Sequence, residues 1–243
     1  MISIENISKS FGKLKVLDSI SVSCDKGETI SLIGPNSSGK TTLIKCLLGM
    51  VIPDSGKIYF DNADISGSWQ YRDQIGYMPQ IGRYPENMTI GEVFDMILDL
   101  RKKKESETDQ ELIRAFGLDL ILNKRMRTLS GGTRQKVSAS LAFLFHPQVL
   151  ILDEPTAGLD PVASEMLKEK IRKEKDKGRL IFITSHILSD LDDLVTRVIY
   201  LQDGKVLFHK SIGQLRTDTG EIKLSRAIAA VMKDSVPVLS HSN

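Results

Sequence analysis

Gly34-Pro35-Asn36-Ser37-Ser38-Gly39-Lys40-Thr41-Thr42 decides how this chain folds. It fits G-x-x-x-x-G-K-[ST], the pattern of a phosphate-binding loop. The glycines let the backbone curl so that successive N–H groups point inward as an anion nest. Lys40 adds a point charge for β- and γ-phosphates, and Thr41 offers a hydroxyl to Mg²⁺. Upstream, Thr29 to Ile33 reads as a buried strand. Downstream, Thr41 to about Leu48 reads as a helix whose positive end faces the phosphates. A glycine turn that binds nothing is the bland alternative, and the strand–loop–helix context counts against it.

Outward from the loop, two more apolar strands end in polar residues. Val149-Leu150-Ile151-Leu152 delivers Asp153-Glu154, and Leu180-Ile181-Phe182-Ile183-Thr184 delivers Ser185-His186. Ligands of open α/β sheets bind at such C-terminal strand ends. A third strand, from Arg72 to Met78, leads into Pro79-Gln80. Phosphoryl transfer to water needs a phosphate cradle, a metal, a base and a charge sensor. Asp153 suits Mg²⁺, through water. Glu154 projects differently and suits polarising an attacking water. His186 suits a hydrogen bond to a γ-phosphate, and Gln80 reaches metal or water through its amide. Taken singly, His186 reads as a structural histidine, Gln80 as a surface amide and Asp153-Glu154 as a cap or surface pair.

A second anion site is written at Leu129-Ser130-Gly131-Gly132-Thr133-Arg134-Gln135-Lys136, ahead of an apolar helix from Val137 to Phe145. Ser130 is a natural N-cap, and Gly131 and Gly132 permit close backbone approach.

The remaining pattern sorts into layers. Residues 1 to 33 alternate as strands, with Phe11 in a polar loop before Gly12, where an aromatic either anchors packing or stacks on a flat base. Lys57 to Asp61 is a short strand after the turn Pro53-Asp54-Ser55-Gly56. Thr89-Ile90-Gly91-Glu92 reads as a helix cap. Residues 88 to about 146 form a helical block, interrupted by the charged connector Arg101 to Glu111, inside an otherwise alternating chain. Pro161 opens a charged helix. Val195 to Phe208 reads as a hairpin, and the chain from about Ser211 is weakly patterned, with a short helix at Leu224 to Met232.

The chain has 243 residues, 41 % of them hydrophobic, which supports one domain with a subdomain. A net charge of +2 gives no electrostatic case for nucleic acid. Cys24 and Cys46 sit in apolar segments and read as buried thiols of a reducing compartment. Met1 to Asn6 lacks the basic and apolar regions of a secretory signal, and no apolar run is long enough for a bilayer. The expectation is a cytoplasmic chain whose membrane role comes through a partner.

Taken in order, GPNSSGKTT, YMPQ, LSGGTRQK, VLILDEPTAGLD and TSH resemble the ATP-binding cassette family, the nucleotide-binding subunits of ABC transporters, over residues 1 to 215. The resemblance implies an α/β fold. It would be a P-loop NTPase core with a mixed sheet, an antiparallel β subdomain and an inserted α-helical subdomain, followed by a short tail at 216–243. It implies ATP and Mg²⁺ as cofactors. Phe11 would stack on adenine, and Gln80 would sense the membrane partner. Ser130 and Gly132 would bind the γ-phosphate of ATP held by the other subunit. Glu154 would be the catalytic carboxylate, Asp160 would lie in the dimer-contact loop and His186 would be the switch histidine. Phe11 replaces the more frequent tyrosine, Ser38 stands where glycine is often found, and Thr133 stands where glutamine is usual.

The implied partners are a second copy of the chain and separate integral membrane subunits, with the chain itself peripheral on the inner face of the cell membrane. Glu154 to Pro161 and the short tail resemble the export branch. The tail and LSGGTRQK also resemble subunits serving copper-enzyme maturation. A soluble assembly ATPase, as in iron–sulfur cluster assembly, is the other class. Chromosome and repair ATPases need a long coiled-coil insertion that is missing here. Ribosome-associated members usually carry two cassettes per chain. Asn123-Lys124-Arg125-Met126 lacks the guanine-reading aspartate of GTPases.

Overall fold

The computed structural model describes residues 1–185 and 193–235. The described elements are β1 (Ile2–Phe11), β2 (Leu14–Cys24), β3 (Thr29–Ile33), α1 (Lys40–Leu47), β4 (Ser55–Phe60), β5 (Ala63–Asp64), β6 (Ile75–Met78), α2 (Ile90–Arg101), α3 (Glu111–Ala115), α4 (Gly131–Phe143), β7 (Val149–Asp153), α5 (Pro161–Asp176), β8 (Leu180–Thr184), β9 (Arg197–Gln202), β10 (Lys205–Ser211), α6 (Ile212–Thr219) and α7 (Leu224–Ser235).

They build two sheets. A six-stranded sheet runs β10-β9-β3-β8-β7-β6, parallel except for the antiparallel edge strand β10. A four-stranded antiparallel sheet runs β2-β1-β4-β5. This is the α/β arrangement expected from the sequence.

Why the parallel strands read as continuous apolar runs is plain from their neighbours. Side chains alternate between faces along a strand, and both faces are covered. Val149, Ile151, Leu180, Phe182, Ile199 and Leu201 pack with α1 and the antiparallel sheet. Leu150, Leu152, Ile181, Ile183, Val198 and Tyr200 pack with α4, α5, α6 and α7. Truncating a fully buried member such as Ile151 to alanine is a change that costs about 2–5 kcal/mol.

The helical block has its own core of Ile90, Val93, Phe94, Ile113, Leu118, Val137 and Leu144. Its first helix starts where the sequence indicated. Thr89 Oγ1 accepts from the Glu92 N–H at 3.2 Å, and the Glu92 carboxylate accepts from the Thr89 N–H at 2.7 Å. Helix α4 begins earlier than the apolar run, at Gly131, and ends at Phe143.

Two stretches differ from the sequence reading. The weakly patterned chain from Ser211 forms α6, with Ile212 and Leu215 buried against the sheet, ahead of the expected helix at Leu224, which is α7 and runs to Ser235. The signal of α6 was a cap rather than a period: Ser211 and Gln214 form a capping box at 3.1 and 2.9 Å. Phe11 is not in a loop. It ends β1, opposite Leu14 across the turn Gly12-Lys13.

Candidate functional site

Strands β3, β6, β7 and β8 all end at one edge of the parallel sheet, and a cleft of about 510 Å³ opens there. Its lining gathers Asn36, Ser37, Ser38, Gly39, Lys40, Thr41, Thr42, Gln80, Asp153, Glu154 and Thr184, with Leu14 and Val16 from β2. Residues far apart in sequence meet because parallel strands deliver their last residues to the same side. A separate cavity of about 320 Å³, lined in part by Trp69 and Tyr71, holds none of these residues.

The loop is fixed by its backbone. Gly34 adopts φ 151°, and a Cβ there would meet the Leu201 carbonyl oxygen at 2.0 Å. Only glycine passes the β9–β10 hairpin so closely. Pro35, Asn36 and Ser37 are exposed. Lys40 Nζ donates to the Gly34 and Pro35 carbonyls at 2.8 and 2.9 Å, which holds the ammonium over the loop. Burial pushes its pKa down, while Glu154 and then Asp153 oppose that shift. The N-cap of α1 is Gly39, which has no side chain to cap the helix, so the first N–H groups face the loop as donors suited to an anion. The buried Ser38 hydroxyl finds no partner among the described residues, a further polar atom suited to a ligand.

Opposite the loop stand the carboxylates. Asp153 and Thr184 are register partners on β7 and β8, and Thr184 Oγ1 donates to Asp153 Oδ1. The Glu154 N–H donates to the Thr184 carbonyl at 3.1 Å and lies 3.2 Å from its Oγ1. Glu154 sits at φ 53°, a left-handed conformation uncommon outside glycine. From the other side, Gln135 Nε2 donates to the Glu154 carbonyl at 3.4 Å. The Asp153 carboxylate, Thr41 hydroxyl and Gln80 amide oxygen are hard oxygen donors. Among the described residues no cluster of three His, Cys, Asp or Glu side chains forms a complete metal cage. This donor set fits Mg²⁺, which keeps waters and takes phosphate oxygens instead of filling an all-protein site.

Gln80 is exposed just beyond β6 and reaches the cleft. Phe11 does not line it. The ring is 51 % exposed on the neighbouring hairpin, with Lys9 Nζ 5.5 Å from its centroid. His186 lies outside the described residues.

Ser130, Gly131, Gly132 and Asp160 form a second group that does not line the cleft. Ser130 Oγ accepts from the Thr133 N–H at 3.2 Å and pairs with the Thr133 hydroxyl at 2.9 Å. A Cβ on Gly132 would lie 2.7 Å from the Gly158 carbonyl oxygen, so α4 starts against the loop that follows β7. Asp160 caps α5 through the Ala163 N–H and pairs with Lys136 Nζ at 2.8 Å. Thr184, Gln135 and Lys136 are contributors that sequence reasoning did not assign. Their partners are 19 to 31 residues away, and only the Asp153–Thr184 pairing of two recognised strands pointed to one of them.

A family model described as ABC transporter matches residues 17–157. The lantibiotic transport ATP-binding protein of Streptococcus pyogenes is 33 % identical over 212 residues, 86 % of this chain and 90 % of the relative. The lipopolysaccharide export system ATP-binding protein of Haemophilus influenzae is 32 % identical over 225 residues, 90 % of this chain and 93 % of the relative. The solved structure of an ATP-binding subunit of an ABC transporter aligns with a TM-score of 0.88 at 28 % identity, over 96 % of this chain and 99 % of that one. On these matches, and with a phosphate loop facing two carboxylates across one cleft, the chain belongs to the ABC transporter family, as one of its ATP-hydrolysing ATP-binding cassettes.

Proposed function

We propose that this cassette powers export through separate integral membrane subunits, working as a head-to-tail pair of identical chains at the inner face of the membrane. Relatives named for lipopolysaccharide export and Nod factor export support the direction. One observation carries the pairing. The chain has two anion-directed surfaces, the cleft at Lys40 and the capped helix start at Ser130, and the second lines no part of the first. A site built from both needs two copies, and a two-fold pair supplies two such sites.

Within each site the roles follow from position. The α1 N-terminus and Lys40 hold the polyphosphate. Thr41, Asp153 and Gln80 would hold Mg²⁺, which neutralises phosphate charge when bound. Glu154, fixed at its backbone, polarises the attacking water. Ser130 and Gly132 close the γ-phosphate side from the other copy, Phe11 stacks on the base, Asp160 stands at the contact between copies and His186 acts as charge sensor. The end of β6 carries Gln80 beside an open groove that includes Tyr77, Arg83, Tyr84 and Phe145, a seat for the membrane subunit. No helix among the described residues is long and apolar enough to cross a membrane, which fits a power unit that acts through a partner.

The test is complementation. Ser130→Arg crowds the γ-phosphate of the other copy, and Lys40→Ala removes a phosphate contact in the chain's own cleft. Each variant alone should lack turnover, and mixing should restore one composite site. Sedimentation of Glu154→Gln with saturating ATP should show a dimer. No recovery on mixing, together with a monomer in sedimentation, rejects the pair. Co-purification with a polytopic membrane protein separates the exporter from a soluble assembly ATPase. The same preparation tests the copper-enzyme reading through the identity of that membrane protein.

A further inference from the structure

Thr184 is 3 % exposed and stands at the last position of β8, between the two acidic residues of the cleft. Its hydroxyl serves both. It donates to Asp153 Oδ1 and lies 3.2 Å from the Glu154 amide nitrogen, whose N–H also donates to the Thr184 carbonyl at 3.1 Å. One hydroxyl carries one proton and two lone pairs, so it can donate to a carboxylate and accept from an amide at the same time. The consequence for Asp153 is rotational: with Oδ1 tied, the plane of the carboxylate is set. For Glu154 the consequence is in the backbone, because the anchored N–H helps to hold φ at 53°. Left-handed backbone at a non-glycine residue persists only where its surroundings over-determine it.

We infer that Thr184 is a positioning residue for hydrolysis, setting the Asp153 carboxylate toward the metal and the Glu154 side chain toward the attacking water with a single hydroxyl. This inference rests on the roles given above to Asp153 and Glu154. It needs no contact between Thr184 and the nucleotide. Serine at this position keeps the hydroxyl, and valine keeps the shape and removes it.

The experiment compares Thr184→Val, Thr184→Ser, Asp153→Asn and Glu154→Gln in the full chain. Two readouts are taken: steady-state turnover against Mg²⁺, and binding of a fluorescent ATP analogue with and without Mg²⁺. Partners that orient a metal ligand typically matter by about ten- to a hundredfold. Thr184→Val should therefore lose about tenfold or more in kcat, raise the Mg²⁺ needed for half-activation, and lose much of the Mg²⁺-dependent gain in nucleotide affinity. Its Mg²⁺-free binding should match wild type, and Thr184→Ser should restore both readouts.

Wild-type kcat and Mg²⁺ dependence in Thr184→Val overturn the inference. So does an equal loss of binding with and without Mg²⁺, which marks a collapsed cleft, and so does failure of serine to restore function. If Glu154→Gln turns over ATP at the wild-type rate, or Asp153→Asn keeps its Mg²⁺ response, the assigned roles of those residues fail instead.

Discussion

Lys136 holds Asp160 by an ion pair of 2.8 Å, which joins the second turn of α4 to the residue that caps α5. Lys136, with the Ala163 N–H second, keeps the Asp160 carboxyl below its usual pKa. Both side chains meet solvent, so the pair adds little to global stability. Its effect is on the relation between the loop after β7 and the start of α4. Lys136→Met should melt close to wild type while losing turnover severalfold. Melting curves and ATPase assays on the same preparation check this, and a large fall in melting temperature would reassign the pair to folding.

The two glycines of the Ser130 turn should respond unequally. A Cβ on Gly131 meets nothing within 4 Å, whereas one on Gly132 lies 2.7 Å from the Gly158 carbonyl oxygen. Gly132→Ala should lower stability by about 1–3 kcal/mol through overpacking. Gly131→Ala should leave it unchanged or slightly raised, since alanine favours the helix start. Denaturant unfolding of the two variants without nucleotide reads the difference.

Phe11 should govern how much ATP is needed and leave kcat largely unchanged. Removing a stacked aromatic forfeits about 1–3 kcal/mol of base binding. Phe11→Ala should therefore raise KM for ATP, and Phe11→Tyr should not. Lys9 sits beside the ring and is itself held by Asp54 at 2.7 Å. An unchanged KM in Phe11→Ala leaves Phe11 as a packing residue of the hairpin.

The junction of α3 and α5 should be acid-sensitive. Lys170, 1 % exposed, pairs with Asp109, Glu111 and Glu174, and Lys173 also pairs with Glu111. Lys170, then Lys173, depress the Glu111 pKa from 4.5 to about 2. A depressed folded-state pKa gives stability that is present above the unfolded value and lost as pH falls through the folded one. The contribution should therefore be complete above about pH 4.5 and fade toward about pH 2. Because the Glu111 side chain is 40 % exposed, solvent screening holds it to about 1 kcal/mol. Melts of wild type and Glu111→Gln should differ at pH 7 and converge on acidification.

The architecture was legible because the parallel strands are short, apolar and buried on both faces. Val149 to Asp153 and Leu180 to Thr184 announce both their existence and their ends. Local chemistry also announced Thr89 and Ser130 as caps. What stayed hidden was tertiary. Nothing within a few residues of Gln135 says that its amide meets the Glu154 carbonyl. Thr184 looked like the last residue of a buried apolar strand, and its hydroxyl gains meaning only once β7 lies beside β8. Helix α6 was faint because its buried Ile212 and Leu215 act by packing on the sheet rather than by a sustained period, whereas the apolar face of Leu224 to Met232 was legible as a helix.

The pairing of Asp153 with Thr184 also makes the two strands a ruler. Insert one residue after Val149, and Leu152 rather than Asp153 stands opposite Thr184, with every later side chain on the other face. Two inserted residues restore the face but carry the carboxylate past the hydroxyl. The spacing from the start of β7 to its acidic end is thus under the same constraint as the identity of those residues. Turns elsewhere on the surface are free to change length without disturbing it.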